Sequence, residues 1–192
     1  MITAEKRVVS SEAYLVMERQ ALEKSEFFNG ELIPVAGATR NHNRIRDNVN
    51  GKILQHLEHA VCQSFSSYMR VHLPETGLFA YPDIVIVCDE PKLLPDEFNN
   101  LLNISVLLEV ISDSTEDYDR GRKFLRYRSI ASFQEYILVD SQRMAVEVWR
   151  KNDLGQWTLV EQTIDPAGQF SSQTIGLTIS LPDTYARTTA LV

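Results

Sequence analysis

Cysteine is scarce in this chain. Only Cys62 and Cys88 occur, too few for a disulfide framework or a thiolate zinc site, and both are read as buried or edge thiols. Long apolar runs are missing too. No window approaches the roughly 18 apolar residues that would span a bilayer. The opening stretch, MITAEKRVVSSEAYLVMERQ, has no apolar core of a secretory signal, so a cytoplasmic location with no membrane contact is expected. Positive charge is not in excess either: 19 Lys and Arg stand against 26 Asp and Glu, for a net charge of −7. That excludes a protein that coats nucleic acid by bulk electrostatics, but not an enzyme whose site is locally basic or neutralised by a metal. No G-x-S-x-G elbow, P-loop or G-x-G-x-x-G fingerprint appears. His56-x-x-His59 lacks the spacing and the Glu of a zincin helix and reads as a surface pair.

What is present describes an ordinary globular chain. Apolar residues make up 44% and charged residues 23% of 192 positions, with no repeat or linker, so residues 1–192 are expected to form one domain. Ser10-Ser11-Glu12 predicts a capped helix running to about residue 25. Asn29-Gly30 between apolar runs predicts a hairpin, because both turn positions need positive φ. Ile45, Val49, Ile53, Leu57 and Val61 draw one apolar stripe, predicting a helix over about 39–61. Strands are expected near 63–73 and 79–88, followed by a Pro-rich acidic loop over 89–97. The run 104–111 is apolar on both alternating faces, which predicts a central strand covered on both sides. A helix over 116–129 and strands near 136–139, 145–149, 157–164 and 174–180 complete the order. Trp149 and Trp157 read as sheet-packing residues. A mixed sheet with helices packed on it, α/β or α+β, fits this succession.

Glu109 is the most informative position. A carboxylate inside an apolar strand costs several kcal/mol or raises its pKa unless a cation or donors meet it. Such charges concentrate at working sites, although a structural salt bridge would also account for one. Asp83 follows Pro82 at the mouth of another buried strand, where Pro fits because it offers no ladder N–H. Alone it reads equally as a strand-entry residue. If the two strands are neighbours, two carboxylates converge and require a cation. Oxygen donors with open positions suit Mg²⁺ or Mn²⁺ rather than zinc. The same pair would serve glycoside hydrolysis only in an aromatic-lined cleft acting without metal.

Pro82-Asp83, Glu109-Val110-Ile111-Ser112-Asp113-Ser114-Thr115, Asp119-Arg120-x-x-Lys123-x-x-x-Tyr127 and Glu135-Tyr136-x-Leu138-Val139-Asp140 together resemble the Uma-two family. Its members are restriction-endonuclease-like proteins of the PD-(D/E)XK nuclease superfamily. The resemblance extends upstream through Gly30-Glu31-Leu32 and Ala36-Gly37-Ala38-Thr39-x-x-His42-Asn43, covering about residues 10–185. It implies a restriction-endonuclease-like fold, a mixed central sheet flanked by helices with an N-terminal helix and hairpin. It also implies a metal-dependent endonuclease acting on DNA. Asp83 and Glu109 would hold Mg²⁺ or Mn²⁺ with the Val110 carbonyl. The lysine expected two residues after the acid is replaced by Ile111, and Lys123 on the following helix is the substitute, orienting water or stabilising charge. Glu31, His42, Asp119 and Tyr127 are carried as accessories, with Glu31 a candidate third acid.

Two basic clusters qualify the acidic total. Arg120, Arg122, Lys123, Arg126 and Arg128 crowd residues 120–128, and Arg40, His42, Arg44 and Arg46 open the helix near 39. Arg40, Arg44, Arg120, Arg122 and Arg126 are candidate phosphate-backbone contacts. Ordinary solvated faces, or pairs with nearby acids, account for them equally well. The family implies a homodimer or higher homo-oligomer, for which the late strands 145–180 are candidates. The rival to catalysis is a nuclease-derived module that binds nucleic acid or protein without cutting. Metal binding separates the two.

Overall fold

The computed structural model describes residues 9–35, 37–96, 98–113 and 115–191; Ala36 and Ser114, two of the motif positions above, lie outside them. Helix α1 (Ser11–Gln20) is capped by Ser10, whose hydroxyl accepts from the Ala13 N–H. It stops five residues earlier than its pattern suggests. Ala21 is extended, and both Glu18 carboxylate oxygens accept from the Ser25 N–H at 3.0 and 3.1 Å, turning the chain into β1 (Ser25–Phe28). The hairpin to β2 (Glu31–Pro34) forms at Asn29-Gly30, with φ of 45° and 89°. β5 (Leu78–Ala80) and β4 (Val71–Leu73) extend it into a four-stranded antiparallel sheet in the order β2-β1-β5-β4. Tyr14 and Leu15 of α1 close on Phe27 and Phe79 of that sheet.

The larger sheet has six strands in the order β10-β9-β8-β7-β6-β3. They are β3 (Gln63–Ser66), β6 (Ile84–Val87), β7 (Val106–Ile111), β8 (Glu135–Asp140), β9 (Val146–Lys151) and β10 (Trp157–Thr163). Only β7 and β8 run parallel, so the sheet is mixed, as the succession of elements implies. All residues of β7 and β8 are buried because both faces are covered, which is why their sequences do not alternate. On one face Val106, Leu108 and Val110 meet Ile45, Val49 and Ile53 of α2 (Arg40–His56). On the other, Leu107 and Ile111 meet Phe124 and Tyr127.

The helix expected over 116–129 is present but wound unusually. Tyr118–Lys123 is a π-helical segment, and α3 (Phe124–Tyr127) continues it. The segment near 174–180 is half of a second hairpin, β11 (Gln169–Ser172) with β12 (Leu177–Ser180). It is followed by α4 (Leu181–Thr184), capped by the Ser180 hydroxyl. This hairpin is fastened to the sheet by Glu135, which is fully buried. Its carboxylate accepts from Arg150 Nε, the Ser172 hydroxyl and the N–H groups of Gln173 and Thr174.

The cysteines require a correction. Helix α2 ends before Val61, which is exposed, so the chain turns and brings Cys62 beside Cys88. The ladder pairs Gln63 with Val87, so the next cross-strand pair outward is Cys62 with Cys88. The two are joined as a disulfide rather than standing as separate thiols. Closing a loop of this size restricts the unfolded chain by about 3–4 kcal/mol. Ellman's reagent should therefore find no thiol in the denatured, unreduced protein. Reduction should lower the unfolding free energy by about 3 kcal/mol in urea titrations.

Burial raises the Glu135 pKa, but the four donors outweigh it and hold the group below its ordinary value of 4.5. A depressed native pKa contributes stability that is present above the unfolded value and lost as pH falls through the native one. Glu135→Ala should cost about 3–5 kcal/mol at neutral pH. It should also flatten the loss of stability below about pH 4.5, as read by urea midpoints across that range.

Candidate active site

The site begins with a register. Ile84 pairs with Leu108 in the antiparallel β6–β7 ladder, so Asp83 and Glu109 are the next cross-strand neighbours. Two reciprocal contacts lock them together. The Asp83 N–H donates to Glu109 Oε2 at 3.2 Å, and the Val110 N–H donates to Asp83 Oδ2 at 2.9 Å. The convergence anticipated for these carboxylates is realised because their strands are adjacent.

Side-chain alternation on β7 sends Glu109 to the same face as Leu107 and Ile111, under the π-helical segment. There Lys123 Nζ lies 2.9 Å from Glu109 Oε1, 3.0 Å from Glu26 Oε1 and 3.4 Å from Asp119 Oδ1. The Tyr127 hydroxyl donates to Glu109 Oε1 at 3.4 Å. Ile111, at the position where the superfamily carries lysine, is buried in the apolar layer. The helix-borne lysine reaches the carboxylate instead. A π-helical turn often marks functional sites; here Asp119 and Lys123 are the two buried residues of the segment.

His42 comes from the first turn of α2, where its own N–H is held by the Thr39 hydroxyl. Its Nε2 lies 3.2 Å from Asp83 Oδ2. Nδ1 is buried with no hydrogen-bond partner among the described residues.

Two sets of candidate residues lie outside the cleft. Glu31 is exposed at the start of β2 and does not line the cleft. The third acid delivered by the hairpin is Glu26, one strand earlier. It is 4% exposed, accepts from the Tyr81 N–H and the Tyr118 hydroxyl at 3.1 Å each, and shares Lys123. An acid next to Phe27-Phe28 on a short strand was the available signal, but Glu31, across the turn, carries the family match.

The arginines are also distributed differently. Arg40, Arg44 and Arg122 are exposed and, with Arg120 and Arg126, lie outside the cleft lining. Arg120 is paired with both Glu116 and Glu147. Arg126 covers the Phe28 ring at 3.4 Å and reaches the Tyr118 hydroxyl. The cations that do line the cleft, besides Lys123, are Lys24 and Arg46.

The cleft has a volume of about 640 Å³, and Glu26, His42, Asp83, Glu109, Val110, Asp119 and Lys123 are among its lining residues. Three carboxylates, Glu26, Glu109 and Asp119, therefore surround one buried ammonium, and a fourth, Asp83, adjoins Glu109. Burial raises the Glu109 pKa well above the ordinary value of 4.5; Lys123 opposes this, while Asp119, Asp83 and Glu26 add to it. Burial alone would lower Lys123, but Glu109, Glu26, Tyr127 and Asp119 outweigh it and hold the ammonium well above its usual range. The physical reading is a lysine that stays charged inside a cluster with more negative than positive groups. Asp83 and Glu109 offer hard oxygen donors in that excess of negative charge, which fits a divalent cation of the magnesium type. Among the described residues, no group of three or more His, Cys, Asp or Glu side chains is placed to hold a metal ion, so these two carboxylates would need main-chain or solvent oxygens to complete a shell.

A mixed sheet flanked by helices, with an acid pair at adjacent strands and a lysine in contact with it, defines the restriction-endonuclease-like class of fold. The crystal structure of "a putative nuclease belonging to DUF820" from Anabaena variabilis superposes with a TM-score of 0.69 at 16% identity, covering 90% of this chain and 97% of that one. The model of the Uma2 family, described as "Putative restriction endonuclease", matches residues 11–182, and the chain belongs to that family. Two proteins of Synechocystis sp. are similar over most of their length. Uncharacterized protein sll1609 is 37% identical over 84% of this chain and 91% of its own. Uncharacterized protein slr1290 is 29% identical over 92% and 91%.

Removing the ammonium leaves Glu26, Glu109 and Asp119 facing one another. Lys123→Met should destabilise the protein by about 3–5 kcal/mol at neutral pH. Carboxylates whose native pKa is raised lose stability as pH rises through the shifted range. The deficit should therefore be larger at pH 8 than at pH 5, and urea unfolding at the two values measures it.

Proposed function

We propose that this chain is a Mg²⁺- or Mn²⁺-dependent endonuclease that hydrolyses phosphodiester bonds in DNA within this cleft. The observation that carries the reading is the contact of Lys123 with Glu109 beside Asp83, a carboxylate pair and a permanent cation at one open cleft. Asp83 and Glu109 would hold the ion together with the Val110 carbonyl. When bound, it supplies polarisation of the scissile phosphate and a lowered pKa for attacking water. Lys123 acts as a charge rather than a base, because its carboxylate neighbours keep it protonated; its part is to stabilise negative charge developing on the phosphate oxygens. His42 orients Asp83, Tyr127 steadies Glu109, and Glu26 with Asp119 holds Lys123 in place. The proposed assembly is a homodimer, supported by the edge strand β10, which exposes Leu159 and Val160.

One observation favours a second reading, a nuclease-derived binding module without catalysis. The acids are satisfied within the protein by Lys123, His42 and backbone N–H groups, and no group of three or more His, Cys, Asp or Glu among the described residues is placed to hold a metal ion. Calorimetric titration of Mn²⁺, with and without a short DNA duplex, separates the two. The nuclease reading expects binding that disappears in Asp83→Ala and Glu109→Ala. It also expects cleavage reduced on the order of a thousandfold in those variants and a hundredfold or more in Lys123→Ala. Absence of Mn²⁺ binding in both conditions would leave the module.

A further inference from the structure

Beside Asp83, whose carbonyl accepts from the Ser67 N–H at 3.0 Å, the cleft has a wall of another character. Lys24 leads into β1, Arg46 lies on α2, and Ser67-Tyr68 form the turn after β3; all four line the cleft. Ser67 is held in a left-handed conformation, with φ of 29°, which a residue with a side chain adopts at a cost. Two cations fasten it. Lys24 Nζ donates to the Ser67 carbonyl at 2.6 Å, and Arg46 Nη1 donates to the Ser67 hydroxyl at 2.9 Å. The result is to present Tyr68 at the cleft mouth with 82% of its surface exposed. Lys24 Nζ stands 3.3 Å from its ring centroid.

Lys24 forms no ion pair with a carboxylate among the described residues, and Arg46 is paired only with the exposed Asp47. Burial, and then the neighbouring charge of Arg46, lowers the Lys24 pKa. Two cations thus stand close together on one wall, which an anion between them would relieve. An aromatic ring with one face on a cation and most of its surface in solvent accepts a base on its open side.

We propose that Tyr68, Lys24 and Arg46 form a subsite for one unpaired nucleotide, its base stacked on Tyr68 and its phosphate held by Lys24 and Arg46. The inference rests on reading the cleft as a nucleic-acid site. It names the substrate class as single-stranded or locally opened DNA, since a base inside a duplex has no free face to offer.

The test is fluorescence anisotropy of the full chain with a short labelled single strand and its blunt duplex, in EDTA so that nothing is cut. The wild type should prefer the single strand. Tyr68→Ala should weaken single-strand binding on the order of tenfold and leave duplex binding unchanged, while Tyr68→Phe should bind like the wild type. Lys24→Met should reduce the slope of log affinity against log salt by about one. A wild type that prefers the duplex, or a Tyr68→Ala variant that binds the single strand normally, would overturn the subsite. The two proposals fail separately. Tyr68-dependent binding without Mn²⁺-dependent cleavage would sustain the subsite and remove the nuclease. Cleavage that is indifferent to Tyr68→Ala, with unchanged single-strand affinity, would do the reverse.

Discussion

The rest of the molecule is arranged around a buried ammonium. Lys123 Nζ meets Glu109 from the six-stranded sheet, Glu26 from the four-stranded sheet and Asp119 from its own π-helical segment. A cation taken out of water costs several kcal/mol unless partners replace its hydration. These three carboxylates do so, and no two of them come from the same element. Small sheet, large sheet and helix are therefore held in one geometry by a single charge. The tyrosines at its edge extend the effect: Tyr118 donates to Glu26 and Tyr127 to Glu109.

That arrangement leaves an imbalance which the fold does not remove. Glu26, Asp83, Glu109 and Asp119 outnumber the cation at the centre of the cleft, and His42 meets only Asp83. A packed core would normally dispose of such groups, because apolar replacements often match or exceed a buried ion pair in stability. Their concentration at one cleft, where acids outnumber the single ammonium, is what makes a site the economical explanation. The acidic floor and the cationic wall of Lys24 and Arg46 also divide the cleft into two regions of opposite charge. The chain's net charge of −7 says nothing about such a local division.

Much of this was legible from the residues. Glu109 announced itself by being charged where every neighbour was apolar, and Asp83 by its place after Pro82. Their convergence depended only on whether two strands were adjacent. Lys123 was legible through the family resemblance but not through spacing, since a lysine within a basic run reads as solvated. Glu26 was hidden because an acid on a four-residue strand has no pattern to violate. The arginine-rich stretch 120–128 pointed toward phosphate, yet Arg120 is paired with Glu116 and Glu147 and Arg126 lies on Phe28. Composition counts charges but does not show which are already partnered.

By itself, the sequence determined the local periodicities: the apolar stripe of α2, the two-faced burial of β7, and the positive-φ turn at Asn29-Gly30. These follow from which near neighbours share a face, and that geometry repeats wherever the residues recur. Only the tertiary structure decided the strand order, the pairing of Cys62 with Cys88, the exchange of Glu31 for Glu26, and the wall formed by Lys24, Arg46 and Tyr68. Each joins residues far apart along the chain, whose meeting depends on register and packing summed over the whole fold. A one-residue shift in register would turn Glu109 away from Lys123, and no local pattern in the sequence measures that shift.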